Sequence, residues 1–203
     1  MQNEDTQTAP SSHPRFTLRD LSQIAAAGVG AAVLDLLVKR TVGAALVAVP
    51  FSGSLFVSFP RTVLILLVVC RTRKPGTILL ISLLEGVLNL TMGGLFPLTL
   101  LCPVGSGLAG EAAWLTMRFL TRRRLVSLLC TGAALAGARL PVASAFSMLL
   151  GLPLVRWFRA APHLAAAVIA ANFLLGALAG ALAEQLAREL QTIGLVADER
   201  ADS

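Results

Sequence analysis

The stretch GTILLISLLEGVLNLTMGGL, residues 76–95, contains a single ionisable side chain, that of Glu85. A helix of about 20 apolar residues is long enough to cross the hydrocarbon core of a bilayer. The whole 203-residue chain has the same character, since 56% of its residues are hydrophobic, 14% are charged and the mean hydropathy is +0.77. Soluble domains carry about 25% charged residues. The composition therefore indicates a membrane protein and excludes an intrinsically disordered chain or a disulfide scaffold.

The apolar stretches on either side predict an all-α, polytopic membrane protein with a bundle of about six transmembrane helices. The predicted spans are Leu18–Val38, 54–71, Gly76–Leu95, Phe96–Leu120, Leu125–Leu152 and His163–Glu189. Proline removes a helix hydrogen bond, so we expect kinks at Pro60 and Pro141. Residues 41–53 are expected to form a loop that folds over or into the bundle. The transmembrane domain, residues 18–190, would lie between a polar leader, 1–17, and a polar tail, 191–203.

The basic residues predict the orientation of the bundle. Eleven of the 17 lysines and arginines fall on the side of the N-terminus and four on the opposite side, while Arg61 and Arg139 fall within spans. Cytoplasmic loops of membrane proteins collect Lys and Arg, so both termini are predicted to be cytoplasmic. The same rule explains the net charge of +6 without a nucleic-acid partner.

Polar side chains inside the predicted spans indicate a site. A charge at the bilayer centre costs about 2.5–3.5 kcal/mol, so such groups normally face the bundle interior or water. Helical spacing puts Glu85 and Asn89 on one face, and Glu111 and Trp114 on another. We expect an outward-facing polar cavity that binds a small molecule. The candidate binding residues are Arg61, Glu85, Asn89, Glu111, Trp114, Arg139 and Asn172.

Two other interpretations of these groups remain open. Arg61 or Arg139 could pair with Glu85 only to fix the helix packing, and Trp114 could be a buried or interfacial aromatic. Asp35 is predicted to form a surface pair with Lys39, which lies four residues further along the same helix.

Small residues at four-residue spacing form stripes on the first and last spans. Such stripes allow close helix–helix approach, either to another membrane protein or within the bundle. On the first span the candidate partner-docking residues are Ala26, Ala27, Gly30 and Ala31; on the last, Gly176 and Gly180 share one stripe, and Ala179 and Ala183 share another.

Several catalytic motifs are absent from the sequence. It has no phosphate-binding loop with Lys-Ser/Thr, no His-Glu-x-x-His, no Cys-x-x-Cys and no Gly-x-Ser-x-Gly. We therefore expect no cofactor and no metal, and we do not expect an enzyme, although an intramembrane acid/base role for Glu85 or Glu111 stays open as the least favoured reading.

With these elements in place, residues 15–190 resemble the S components of energy-coupling factor (ECF) transporters. The similarity lies in the sequence FTLRDL, residues 16–21, at the start of the first span, in the spacing of Ala27 and Ala31, and in the long apolar connection before the second span. The stretch RKPG, residues 73–76, leading to Glu85, and GLAGE, residues 107–111, resemble the branch that handles thiamine or its hydroxymethylpyrimidine precursor.

The resemblance implies a substrate-capture subunit in a bacterial or archaeal cell membrane. Such a subunit binds a vitamin from outside, under the loop between helices one and two, and docks through the face of Ala27 and Ala31 on a membrane T component coupled to two cytoplasmic ATPases. It then topples to release the substrate inward. Arg61 and Arg139 would neutralise the glutamates or bind a carboxylate or phosphate of the substrate. The alternative is a structural or assembly membrane protein without a ligand.

Overall fold

The protein is an all-α polytopic membrane protein. The computed structural model describes residues 16–41, 52–93, 98–121, 123–151 and 160–192, and these residues contain helices and no strand. The helices are α1 (Leu18–Thr41), α2 (Ser52–Thr72), α3 (Thr77–Thr91), α4 (Leu98–Leu120), α5 (Arg124–Gly137), α6 (Arg139–Leu149) and α7 (Pro162–Thr192). Helices α5 and α6 together form one apolar span, Arg124–Leu149.

Five spans among the described residues are long and apolar enough to cross a membrane, and α3 is a shorter sixth. With 15 residues, α3 is about 22 Å long, less than the roughly 30 Å of a hydrocarbon core. It ends at Thr91, not at Leu95 as the sequence suggested. Gly93 takes a left-handed φ of 91°, which glycine adopts without steric cost and which ends the helix.

The fifth predicted span is divided where the sequence predicted only a kink. Helix α5 ends at Gly137 and α6 begins at Arg139. Pro141 has no N–H to donate to the carbonyl four residues earlier, that of Gly137, so the helix is interrupted there. Pro60 lies inside α2, as predicted. Of the predicted loop at 41–53, Thr41 ends α1 and residues 52 and 53 begin α2. The rest of that loop, the leader up to residue 15 and the tail from 193 lie outside the described residues.

The last helix, α7, packs on both α5 and α2. The α5–α7 crossing brings backbones into contact: a Cβ at Gly132 would collide with the carbonyl oxygen of Gly176, and a Cβ at Gly180 would collide with that of Leu128. Ala179 and Ala183 are fully buried. The small-residue stripe of α7 therefore serves packing inside the bundle, as in other membrane helices with this spacing.

The apolar core occupies one half of the bundle. This half contains the ends of α2, α4 and α7 and the beginnings of α1, α3 and α5, and we call it the basic end. There Lys74 binds Asp20, Arg124 binds Glu184, and Arg118 donates to the carbonyl of Arg73. The core residues are Ile24, Ala27, Ile65, Leu66, Val69, Cys70, Ile78, Ile81, Trp114, Leu128, Leu135, Ala183 and Ala187.

Candidate functional site

The opposite half of the bundle buries polar side chains from several helices, and we call this group the polar layer. Helix α2 contributes Ser58 and Arg61, α3 contributes Glu85 and Asn89, and single residues come from α1, α6 and α7. Buried members of the layer are Asp35, Ser58, Arg61, Glu85, Asn89 and Asn172. Arg139 joins them with a side chain that is 14% exposed. Five of the seven candidate binding residues thus lie in this layer.

Arg61 and Glu85 form its central ion pair. Both side chains are 0% exposed, and Arg61 Nε donates to both carboxylate oxygens of Glu85, at 2.8 Å to Oε1 and 2.7 Å to Oε2. Glu85 is the ninth residue of α3, so it lies about 13 Å along that helix. The pairing that the sequence analysis gave as one interpretation is therefore present.

Arg139 connects this pair to α1. Its Nη2 donates to Asp35 Oδ1 at 3.2 Å and lies 4.0 Å from Glu85 Oε1. Asp35 does not lie at the surface as predicted, because it is only 3% exposed and binds Arg139. The side chain of Lys39, its predicted partner, lies outside the part of the chain that the structure describes. Asp35 shares the inward face of α1 with the fully buried Ala31, one turn earlier, and the start of α6 brings Arg139 within reach.

The network is balanced in charge but not in hydrogen bonds. Among the side chains that the structure describes, two guanidinium groups face two carboxylates, so their formal charges cancel. Yet Arg61 Nη1, Arg61 Nη2 and Arg139 Nη1 are buried and find no hydrogen-bond partner within the described part of the chain. Guanidinium nitrogens only donate, and a planar fork suits carbonyl, carboxylate and ring-nitrogen acceptors. A small molecule that carries acceptors would satisfy these donors.

Asn172 and Ser58 join α7 to α2 beside this network. Ser58 Oγ donates to Asn172 Oδ1 at 2.7 Å, and Asn172 Nδ2 donates to the carbonyl of Val168 at 2.9 Å. Sequence reasoning missed Ser58, although its position three residues before Arg61 puts it on the same face of α2. Asn89 is buried one turn beyond Glu85, as the shared face predicted.

Glu111 and Trp114 lie in the other half of the bundle. The carboxylate of Glu111 accepts the backbone N–H groups of Gly76, at 2.7 Å, and Ile78, at 3.1 Å, so it caps the N-terminus of α3 from α4. Trp114 is 8% exposed and belongs to the apolar core. The structure thus does not bring these two residues together with the polar layer, and their positions correspond to capping and packing.

The small residues of α1 are divided between the inside and the outside. Ala27 is 6% exposed and Ala31 is fully buried, so helices of the same chain cover both, and the prediction of a docking surface at these two side chains is wrong. Gly30 is half-buried and faces Leu64 of α2, whereas Ala26 is exposed. The outer edge of α1 consists of Ala26 with the exposed Val29 and Val33.

Within the described residues no group of three or more His, Cys, Asp or Glu side chains is arranged to hold a metal ion, and none of the three cysteines forms a disulfide. Compared with protein-family models, curated proteins and solved structures, the chain shows no match.

Proposed function

We propose that the protein is the solute-capture subunit of an energy-coupled importer in the cell membrane and that it binds a small vitamin or vitamin precursor in the polar layer. The supporting observation is the set of three buried guanidinium nitrogens, on Arg61 and Arg139, without a partner among the described residues. A buried donor without an acceptor costs about 1–3 kcal/mol, and more when it is charged. A bound solute with suitable acceptors removes that cost.

The charge balance of the layer favours an uncharged ligand. Arg61 and Arg139 are already matched by Glu85 and Asp35, so a ligand with a net charge would leave one charge uncompensated in a region of low dielectric. Within the thiamine-related branch that the sequence resembles, the neutral hydroxymethylpyrimidine, with its ring nitrogens, is the better candidate than the thiazolium cation of thiamine.

The proposed partners are a membrane T component and two cytoplasmic ATPases, which would supply the energy for release of the solute inward. Because Ala27 and Ala31 are buried, the surface of α1 that remains for such a partner is the exposed edge with Ala26, Val29 and Val33. Small and branched apolar side chains suit close helix–helix contact in a bilayer.

A second candidate function is a structural or assembly role without any ligand. The direct Arg61–Glu85 pair favours it, because a fully buried ion pair, here with one N–H shared by both carboxylate oxygens, can fix the relative positions of α2 and α3 on its own. The two candidates make different predictions for a variant that keeps the charge at position 61 but removes the guanidinium fork.

The test is a calorimetric titration of the purified full chain with hydroxymethylpyrimidine and with thiamine, using wild type and Arg61→Lys. Lysine keeps a cation opposite Glu85 but has no Nη pair. We expect the wild type to bind and Arg61→Lys to bind at least tenfold more weakly, since a hydrogen bond to a charged group contributes about 1.5–3 kcal/mol. Arg118→Lys, at an exposed arginine of the basic end, is the matched control and should bind like the wild type.

A second readout uses the same preparations. A T component and two ATPases should co-purify with the tagged wild-type chain from its own membranes. If no partner co-purifies, no solute is retained and Arg61→Lys changes only the unfolding midpoint, the structural role replaces the transport role.

A further inference from the structure

A cavity of about 140 Å³ lies at the basic end of the bundle, and none of its lining residues belongs to the polar layer. Its apolar walls are formed by Leu67 and Val68 of α2 and by Ala187 and Leu190 of α7. Polar side chains also line it: Arg71 at the end of α2, Arg124 at the start of α5, Gln23 of α1, and Gln191 of α7, together with Cys70. We call this cavity the basic-end groove.

The groove forms because two helices that pack on α2 do not pack closely on each other. Helices α1 and α7 both pack on α2, but they form no extended interface with each other among the described residues. The face of α2 between them is therefore only partly covered, and Leu67 and Val68 remain half-buried on it. Because these residues lie near the ends of their spans, we expect the groove to face the lipid headgroup region.

The charges at the groove are mainly positive. Arg124 Nε and Arg188 Nε each bind one oxygen of the buried Glu184 carboxylate, both at 3.0 Å. Two arginines thus share a single carboxylate, and Arg71 is exposed beside them. Glu189 lies two residues after Ala187, about 200° around α7, and so faces away from the groove. The local excess is about two positive charges.

Gln23 adds a hydrogen-bond acceptor to the groove. Its Oε1 is buried and has no hydrogen-bond partner among the residues that the structure describes. An acceptor beside guanidinium donors matches a headgroup that contains both a phosphate and hydroxyl groups.

We infer that the basic-end groove binds an anionic phospholipid of the inner leaflet, with its phosphate at Arg71 and Arg124 and its glycerol backbone and first acyl methylenes along Val68, Ala187 and Leu190. By the positive-inside rule this end faces the cytoplasm, where anionic lipids bind basic pockets between transmembrane helices. The mostly apolar walls favour a lipid over a soluble anion, which would gain nothing from them. The inference does not rest on the proposed function, since the two sites lie in opposite halves of the bundle.

The experiment is native mass spectrometry of the full chain released from nanodiscs of phosphatidylcholine with a minor share of phosphatidylglycerol. We expect the wild type to retain one phosphatidylglycerol in clear preference to phosphatidylcholine. Arg71→Gln should lower that preference about fivefold, the effect of one basic residue near a membrane surface. The exposed Arg123, at the same end but outside the groove, provides the control: Arg123→Gln removes the same charge and should leave the preference unchanged.

A third variant tests the apolar wall. Val68→Phe fills the groove without altering any charge and should reduce retention of the lipid as Arg71→Gln does, while the helix content stays that of the wild type.

Equal losses for Arg71→Gln and Arg123→Gln would overturn the inference in favour of diffuse attraction. Displacement of the lipid by millimolar inorganic phosphate would overturn it in favour of a soluble anion. Solute titrations with Arg71→Gln should match the wild type, which separates this site from the polar layer.

Discussion

The two halves of the bundle bury charged side chains in different ways. At the basic end the interior consists mainly of apolar residues such as Ile65, Leu66 and Leu135, and the buried carboxylates of Glu111 and Glu184 are bound by backbone N–H groups or by partly exposed arginines. In the polar layer Arg61 and Glu85 have no exposed surface at all. A bundle held together by packing alone would repeat the first arrangement in both halves. Complete burial of two charged groups costs desolvation free energy. Because packing alone does not require that cost, the polar layer is the candidate site.

The desolvation cost of the buried charges determines how strongly a substitution should change the free energy of unfolding. Each member of a buried ion pair depends on the other, because removal of one member leaves the other as an uncompensated charge in a medium of low dielectric. At the rim of the basic end, when one member of a pair such as Lys74 and Asp20 is removed, water hydrates the charge that remains. Substitutions of single charges should therefore have large effects in the polar layer and small effects at the rim.

The largest effect is expected for Arg61→Leu. It leaves Glu85 with Arg139 Nη2 at 4.0 Å as its nearest remaining cation among the described residues, and it should destabilise the chain by about 3–5 kcal/mol. The measurement is reversible unfolding in mixed micelles, followed by helical circular dichroism.

The matched control is the double variant Arg61→Leu/Glu85→Leu, which removes both charges and leaves the Arg139–Asp35 pair balanced. It should recover most of the lost stability, since apolar replacement of a whole buried pair is often neutral. A double variant as unstable as the single one would show that the two residues are not energetically coupled. The contrast between the two halves would then lose its energetic basis.

A smaller effect is expected for Glu111→Ala, which removes the cap of α3. Gly76 precedes this helix and has no side chain that could bind the first N–H groups, so Glu111 supplies both acceptors. Loss of a cap typically costs about 0.5–2 kcal/mol. Hydrogen exchange should accelerate at the amides of Gly76 and Ile78. Glu111→Gln keeps one acceptor oxygen and should lie between wild type and Glu111→Ala; an unchanged exchange rate in Glu111→Ala would contradict the capping role.

The fold was predictable because hydropathy and the positions of helix-capping and helix-breaking residues are local properties of the sequence. The six spans follow from the apolar stretches, and Thr17, directly before the first of them, is of a residue type that commonly caps helices. In the structure Thr17 Oγ1 accepts the N–H of Asp20, and the Asp20 carboxylate accepts the N–H of Thr17 in return. Such reciprocal bonds depend only on a spacing of three residues.

The site was predictable in part, because its residues had to face inward but their partners depend on the packing. Arg61 of α2 and Glu85 and Asn89 of α3 were identified from the cost of burial, whereas Ser58 was not, and the pairing of Arg61 with Glu85 was one stated option. The partner of Asp35 could not be found, since it depends on where the break before α6 places Arg139. The role of Glu111 did leave a signal: a helix that begins after Gly76 needs acceptors from elsewhere.

The smallest effect is expected at the rim, for Lys74→Gln. Lys74 Nζ lies 2.6 Å from Asp20 Oδ2 and 5.8 Å from the centre of the Phe16 ring, and the side chains of Lys74 and Asp20 are 22% and 16% exposed. Partly exposed pairs contribute about 1 kcal/mol or less, and salt screens them. The unfolding free energy should therefore fall by at most about 1 kcal/mol at low ionic strength, and the difference from wild type should shrink in molar salt. Lys74→Arg, which keeps the charge, is the control. A loss as large as that of Arg61→Leu, or one that salt does not reduce, would mean that charges at the rim are as dependent on their partners as those in the polar layer.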